Sequence, residues 1–169
     1  PLLVAEAIAR AKRQGVSEEL LSELDGFTGA VGIWDSGRPG PVTAFRFDID
    51  CVQVGETSDP AHEANAGGYA SQRPNLMHAC GHDGHLAVGL GVAQWIKDHA
   101  DQLCGKIKLV FQPAEEGTRG AQPMAESGIL DDVDFIVCTH IGSSVPLHQV
   151  AVCTHGYLAT TKLDIYFEG

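Results

Sequence analysis

The segment Met77-His78-Ala79-Cys80-Gly81-His82-Asp83-Gly84-His85 concentrates side chains that can bind a metal. A thiolate and an imidazole two residues apart, with glycine between them, can bend round one cation. Joined by a carboxylate, that set suits zinc and also manganese, nickel or cobalt. Asp83 is placed to accept the second ring N–H of a ligating histidine or to cap a following helix. His85 lies one helical turn beyond His82 and can face the same pocket. A second focus is Glu115-Glu116 before Gly117. On an extended strand end the two carboxylates point in different directions, so one can hold metal while its neighbour faces water. Metal-assisted hydrolysis needs that division of roles. Asp48-Ile49-Asp50 sets two carboxylates on one side of a strand end. His140 follows the strand-like run Val-Asp-Phe-Ile-Val-Cys-Thr.

Each feature has a plainer explanation. Cys80 could be a small buried apolar residue, the histidines could lie on the surface, Glu115-Glu116 could be a solvated loop, and the Asp48/Asp50 pair could form a turn. The density of such residues between Cys80 and His85 favours the metal. His62, His78, His99, His148 and His155 have no partner that the sequence names. Cys51, Cys104, Cys138 and Cys153 read as core or near-core thiols.

The elements that must position these groups follow from periodicity and turn residues. Residues 2–14 form an amphipathic helix stopped by Gly15. Ser17 caps a second helix, with Glu18 and Glu19 in its first turn, that ends at Gly26. This helical pair reads as an insertion or appendage over residues 1–26. Strands are expected at Gly29 to Trp34, Val42 to Phe47, Lys106 to Gln112 and Val133 to Thr139, with further strands over 148–154 and 160–167. The run Asp35 to Pro41 is a turn, and 55–76 is a long loop. A helix from about Leu86 to His99 buries Val88, Val92, Trp95 and Ile96, and another spans Ala121 to Ser127. Alternating strands and helices predict an α/β fold with a mostly parallel sheet flanked by helices. In such sheets ligands gather outside the carboxyl ends of the strands. Asp48/Asp50, Glu115/Glu116 and His140 fall at such ends, while Cys80 and His82 are expected in a loop before a helix.

The chain has 169 residues, a net charge of −11 and no Lys/Arg cluster. This excludes a phosphate-tracking nucleic-acid surface. Five cysteines without paired spacing predict reduced thiols and a cytoplasmic setting. No apolar run is long enough to span a membrane. Pro1 in place of an initiating Met, and a last residue directly after a strand-like run, suggest a piece of a longer protein.

Taken together, the segments around Cys80, His82, Glu115, Glu116 and His140, with Arg46-Phe47-Asp48-Ile49-Asp50, resemble the M20 metallopeptidase family in its amidohydrolase branch. Residues 1–25 and the stretch Glu115-Glu116-Gly117-Thr118-Arg119-Gly120-Ala121 resemble the aminobenzoyl-glutamate hydrolase type within it. The resemblance implies a zinc-peptidase-like (phosphorylase/hydrolase-like) catalytic domain over 27–158 and the first strand of a lid or dimerisation domain over 159–169. It further implies two divalent ions, zinc or manganese, held by Cys80, His82, Glu116 and His140. Glu115 would be the catalytic base and Asp50 the residue that orients the site. A further histidine ligand is implied beyond Gly169. The implied substrate is an N-acyl amino acid, with p-aminobenzoyl-glutamate favoured, cleaved by a homo- or hetero-oligomer. The sequence departs from the branch at Cys51-Val52-Gln53, where many members have Ala-Leu-Pro, so one pocket wall should differ. Two rival readings stand beside this one: a Cys80 nucleophile with His82 or His140 as its base, and a zinc-stabilised interaction domain without catalysis.

Overall fold

In the computed structural model, residues 2–13, 15–24, 28–142, 145–152 and 165–167 are described. Two helices come first, α1 (Leu2–Arg13) and α2 (Glu18–Leu24). Gly15 takes a left-handed φ of 88° beyond α1, and the Ser17 hydroxyl accepts the Leu20 N–H at 3.2 Å to cap α2. The expected stop at Gly26 lies outside the described residues.

The strands are β1 (Ala30–Asp35), β2 (Val42–Asp48), β3 (Lys106–Gln112) and β4 (Phe135–Cys138), joined by α3 (Glu63–Gly67), α4 (His82–Asp98) and α5 (Ala121–Glu126). They form one sheet in the order β1-β3-β2-β4. β2 runs parallel to both β3 and β4, and β1 is an antiparallel edge on β3. The sheet is therefore mixed, with a parallel centre and one antiparallel edge strand, a common arrangement in α/β folds. Asp48 pairs with Gln112 and Arg46 with Cys138. The three parallel strands thus end at one edge of the sheet.

Phe47, Ile107 and Leu109 from the sheet pack with Ile96 of α4, and Trp34, Phe45, Val92 and Phe111 close round them. Gly89 lets the helix approach. A Cβ there would lie 2.6 Å from Phe111 Cε1 and 2.9 Å from Phe47 Cδ2. Lys108, alternate to the core residues of β3, is buried, and its ammonium reaches the Ile129 carbonyl and the Asp132 carboxylate.

The helix after Cys80 begins at His82, four residues earlier than the apolar run suggests, because Gly81 turns the chain with a φ of 82° and the polar first turn is already helical. Cys80 alone stays before it. The buried face is His82, His85, Gly89 and Ile96, with Val92 partly buried. Val88 and Trp95 are about half exposed, at 46% and 51%. This helix is apolar on most of its circumference, so composition could not select the face. β4 is shorter than expected and exposed along its whole length, as an outer strand bonded only on its β2 side among the described residues. The expected loop contains the short α3. Residues 148–152 form no strand, nor do 165–167, and the remainder of both expected strands lies outside the described residues. Cys51, Cys104 and Cys138 are free and exposed rather than core thiols, because each lies in a connection or on the outer strand. Cys153 lies outside the described residues.

Candidate metal centre

Parallel β2, β3 and β4 deliver Asp48/Asp50, Glu115/Glu116 and His140 to the same edge, and α4, returning across the sheet, brings its first turn there. Ligand atoms of Cys80, His82 and Glu116 all lie within 4.8 Å of one another, and so do those of Asp48, His82 and Glu115 and those of His82, His85 and His140. His82 belongs to all three groups and is 1% exposed. The His140 ring stands edge-on to His82 and His85, with centroids 5.9 and 4.5 Å away.

The neighbours of His82 set its tautomer. Its Nδ1 faces two acceptors of Asp50, the carbonyl oxygen at 3.0 Å and Oδ1 at 3.2 Å, so Nδ1 carries the proton. Nε2 then presents a lone pair. That atom is buried with no hydrogen-bond partner among the described residues. Around it lie Asp48 Oδ2 at 3.8 Å, Glu116 Oε1 at 3.8 Å and Glu115 Oε2 at 3.9 Å. A lone pair among carboxylate oxygens is repulsive unless positive charge sits between them. Two ligands bound at ~2.1 Å to one ion lie roughly 3 to 4 Å apart, so these spacings fit a divalent cation better than direct contacts.

His85 was expected only to face the pocket; the structure gives it a more definite place. Its Nε2 accepts the Ile141 N–H at 2.8 Å and its Nδ1 bonds Asp48 Oδ1. Both ring nitrogens are used, so His85 ties α4 to the segment after β4 instead of offering a ligand. Asp48 is fully buried. Burial pushes its carboxyl up, but the His85 bond and the charges of Arg46, His82 and His85 outweigh that and hold it below the usual range. Arg46 bonds Asp48 Oδ2 and Gln112 Oε1, each at 2.8 Å. The residue pattern offered Asp48 and Asp50 as an equivalent pair and His85 as facing the pocket, and only the family resemblance singled out Asp50. The repeated Asp-x-Asp and the i, i+3 histidines were the available signals, but burial was needed to read them.

Asp50, not Asp83, supports the His82 ring. Its Oδ2 also accepts the Glu116 N–H at 3.1 Å, which joins the β3 loop to the end of β2. The Glu115-Glu116 pair is not on an extended end. Ala114 and Thr118 adopt left-handed φ values of 53° and 52°, and Thr118 N–H bonds the Glu115 carbonyl at 2.7 Å. This tight turn directs both carboxylates toward one histidine nitrogen. The Cys80 thiol is pushed up to about 11, first by its hydrogen bond to Glu116, then by burial and by the charges of Glu116, Glu115 and Asp48. An activated nucleophile needs the opposite shift, which weighs against the Cys80-nucleophile reading.

Fold and centre together define an α/β domain with a thiol–imidazole–carboxylate cradle at the carboxyl ends of parallel strands. The chain belongs to peptidase family M20/M25/M40, whose sequence model matches residues 44–166. It is 48% identical over 167 residues to a Haemophilus influenzae homolog of one subunit of p-aminobenzoyl-glutamate hydrolase, covering 99% of this chain and 40% of that protein. Against the indole-3-acetyl-aspartic acid hydrolase of Enterobacter agglomerans it is 49% identical, covering 99% of this chain and 39% of that protein. A crystal structure of a Bacillus subtilis protein, described as a dinuclear metal binding peptidase from the M20 family, superposes with a TM-score of 0.63 at 34% identity, covering 70% of this chain and 31% of that one. The chain thus spans about 40% of the length of the curated relatives it matches. No helix among the described residues is long and apolar enough to cross a membrane.

Proposed function

We propose that the full-length protein is a metal-dependent amidohydrolase that cleaves the amide bond of an N-acyl amino acid, with p-aminobenzoyl-glutamate the favoured substrate. The carrying observation is the buried His82 Nε2, which has no hydrogen-bond partner among the described residues and is faced by oxygens of Asp48, Glu115 and Glu116. Cys80, His82, Glu116 and His140 would hold two divalent ions, and zinc or manganese suits that set. When bound, the ions supply Lewis-acid polarisation of the scissile carbonyl and acidify the attacking water. Glu115 receives the proton of that water and passes it to the leaving nitrogen. Asp50 keeps the His82 proton on Nδ1 so that Nε2 stays available. The relatives named above act, by their names, on amides between a ring-bearing acid and a dicarboxylic amino acid, which supports the substrate class.

In this reading residues 1–26 are a helical insertion, 27–158 part of the catalytic domain and 159–169 the start of a lid or dimerisation domain. The remaining histidine ligand belongs to the rest of the protein, which works as a cytoplasmic homo- or hetero-oligomer. The test is metal-reconstituted hydrolysis of a panel of N-acyl amino acids by the full-length protein. Glu115→Gln should lower turnover by roughly 10²- to 10⁴-fold at unchanged metal content. Wild-type turnover in that variant would remove Glu115 as the base, and a protein loaded with two ions that cleaves no member of the panel would remove the reaction class.

A further inference from the structure

Beside the cradle lies a cleft of about 460 Å³, a size that holds a small ligand. It shares Asp50 and Glu116 with the metal centre, and Cys51 forms part of its wall, where the sequence departs from the branch pattern. Of the described residues lining it, Arg119 alone is cationic. The Arg119 side chain lies against Gly117: a Cβ there would be 2.6 Å from Arg119 Nε and 2.8 Å from its Nη2. The main chain of Arg119 is fixed by its N–H bond to the Ala114 carbonyl at 3.1 Å. Asp50, by contrast, already spends its oxygens on His82 and the Glu116 N–H.

An exposed guanidinium lying against Gly117, in a cleft whose only other charged lining residues among those described are Asp50 and Glu116, is suited to a carboxylate, which it can bind through two parallel N–H donors. A larger cleft that shares the Cys51 wall contains Arg10 and Arg73, but no residue of the cradle lines it; Arg119 is the cation whose cleft includes Asp50 and Glu116. We infer that Arg119 is a specificity-determining residue that receives the side-chain carboxylate of the dicarboxylic amino acid in the substrate. This rests on the amidohydrolase reading, which names the amino-acid part. The consequence is selectivity for an acidic amino acid over its uncharged amide.

The experiment compares N-(4-aminobenzoyl)-glutamate with N-(4-aminobenzoyl)-glutamine in the full-length, metal-loaded protein and its Arg119→Gln and Arg119→Lys variants. Both KM and equilibrium binding are measured, the latter in the Glu115→Gln background so that no turnover is needed. Wild type should favour the glutamate compound, and Arg119→Gln should weaken it by roughly 10- to 100-fold, as expected for a lost charge-assisted bond. The glutamine compound should change by less than about threefold, kcat should be nearly constant, and Arg119→Lys should fall between. Equal losses on both compounds, no loss on either, or a wild type without preference would overturn the assignment. The binding arm decides the matter even if neither compound is hydrolysed, a result that would count against the amidohydrolase reading alone.

Discussion

Asp50 grips His82 through two atoms, its main-chain carbonyl at 3.0 Å and its carboxylate at 3.2 Å from the same Nδ1. This fixes the proton on the outer nitrogen and turns the inner one toward the carboxylates. The second carboxylate oxygen of Asp50 holds the Glu116 main chain at 3.1 Å, so one side chain sets both an imidazole and a carboxylate.

Removing that grip should loosen the centre. Asp50→Ala in the full-length protein is expected to lower metal affinity by roughly 10- to 100-fold, the usual effect of losing a group that orients a histidine ligand. Competition against a chelator of known affinity measures it. Unchanged affinity would mean that His82 is oriented by its neighbours without Asp50.

Cys80 offers a chemical probe of the cradle. Metal should shield it from iodoacetamide, and a chelator should expose it. Even then the metal-free thiol should react slowly at pH 8, because it sits at about 11 and only its thiolate reacts. The rate should climb close to tenfold per pH unit up to pH 10. Rapid labelling at pH 8 in metal-free protein would show that the neighbouring carboxylates do not hold the proton.

Gly89 tests the packing beneath the centre. A methyl group there meets Phe111 and Phe47 at 2.6 and 2.9 Å, so Gly89→Ala should destabilise by about 1–3 kcal/mol through overpacking. The better helix propensity of alanine offsets at most ~1 kcal/mol of this. Denaturant unfolding of the full-length protein reads the difference, and a stabilised variant would show that α4 can move away from the sheet at little cost.

Asp132 should make part of the stability depend on acid. Its carboxyl is held below the ordinary 3.8 chiefly by the hydrogen bond from Lys108. A depressed carboxyl stabilises the fold above its unfolded value, and that contribution is lost as pH falls through the lower folded value. Asp132→Asn should therefore lower the melting midpoint at pH 7 and flatten the loss of stability below about pH 4. Because Asp132 is more than half exposed, solvent screening should keep the effect small. Identical acid profiles for variant and wild type would remove the ion pair from the account.

Part of this was legible in the linear chain. Cys80, His82, Glu115, Glu116 and His140 stand out by residue type, and apolar runs before three of the clusters placed them at strand ends. Asp48 and Asp50 look alike in sequence, yet one is sealed against Arg46 and His85 while the other braces His82. Their difference is burial, which depends on what crosses above them. The face of α4 was equally hidden, since Val88 and Trp95 are as apolar as Val92 and Ile96.

The amino-acid order by itself determined the chemical inventory, the family and the parallel centre of the sheet, because residue types, turn glycines and apolar periods are local properties. The tertiary structure decided which nitrogen of His82 faces inward, that His85 braces instead of ligating, and that Glu115 and Glu116 turn to a common point. Those outcomes depend on distances between segments more than thirty residues apart, which only the packing of α4 on the sheet sets.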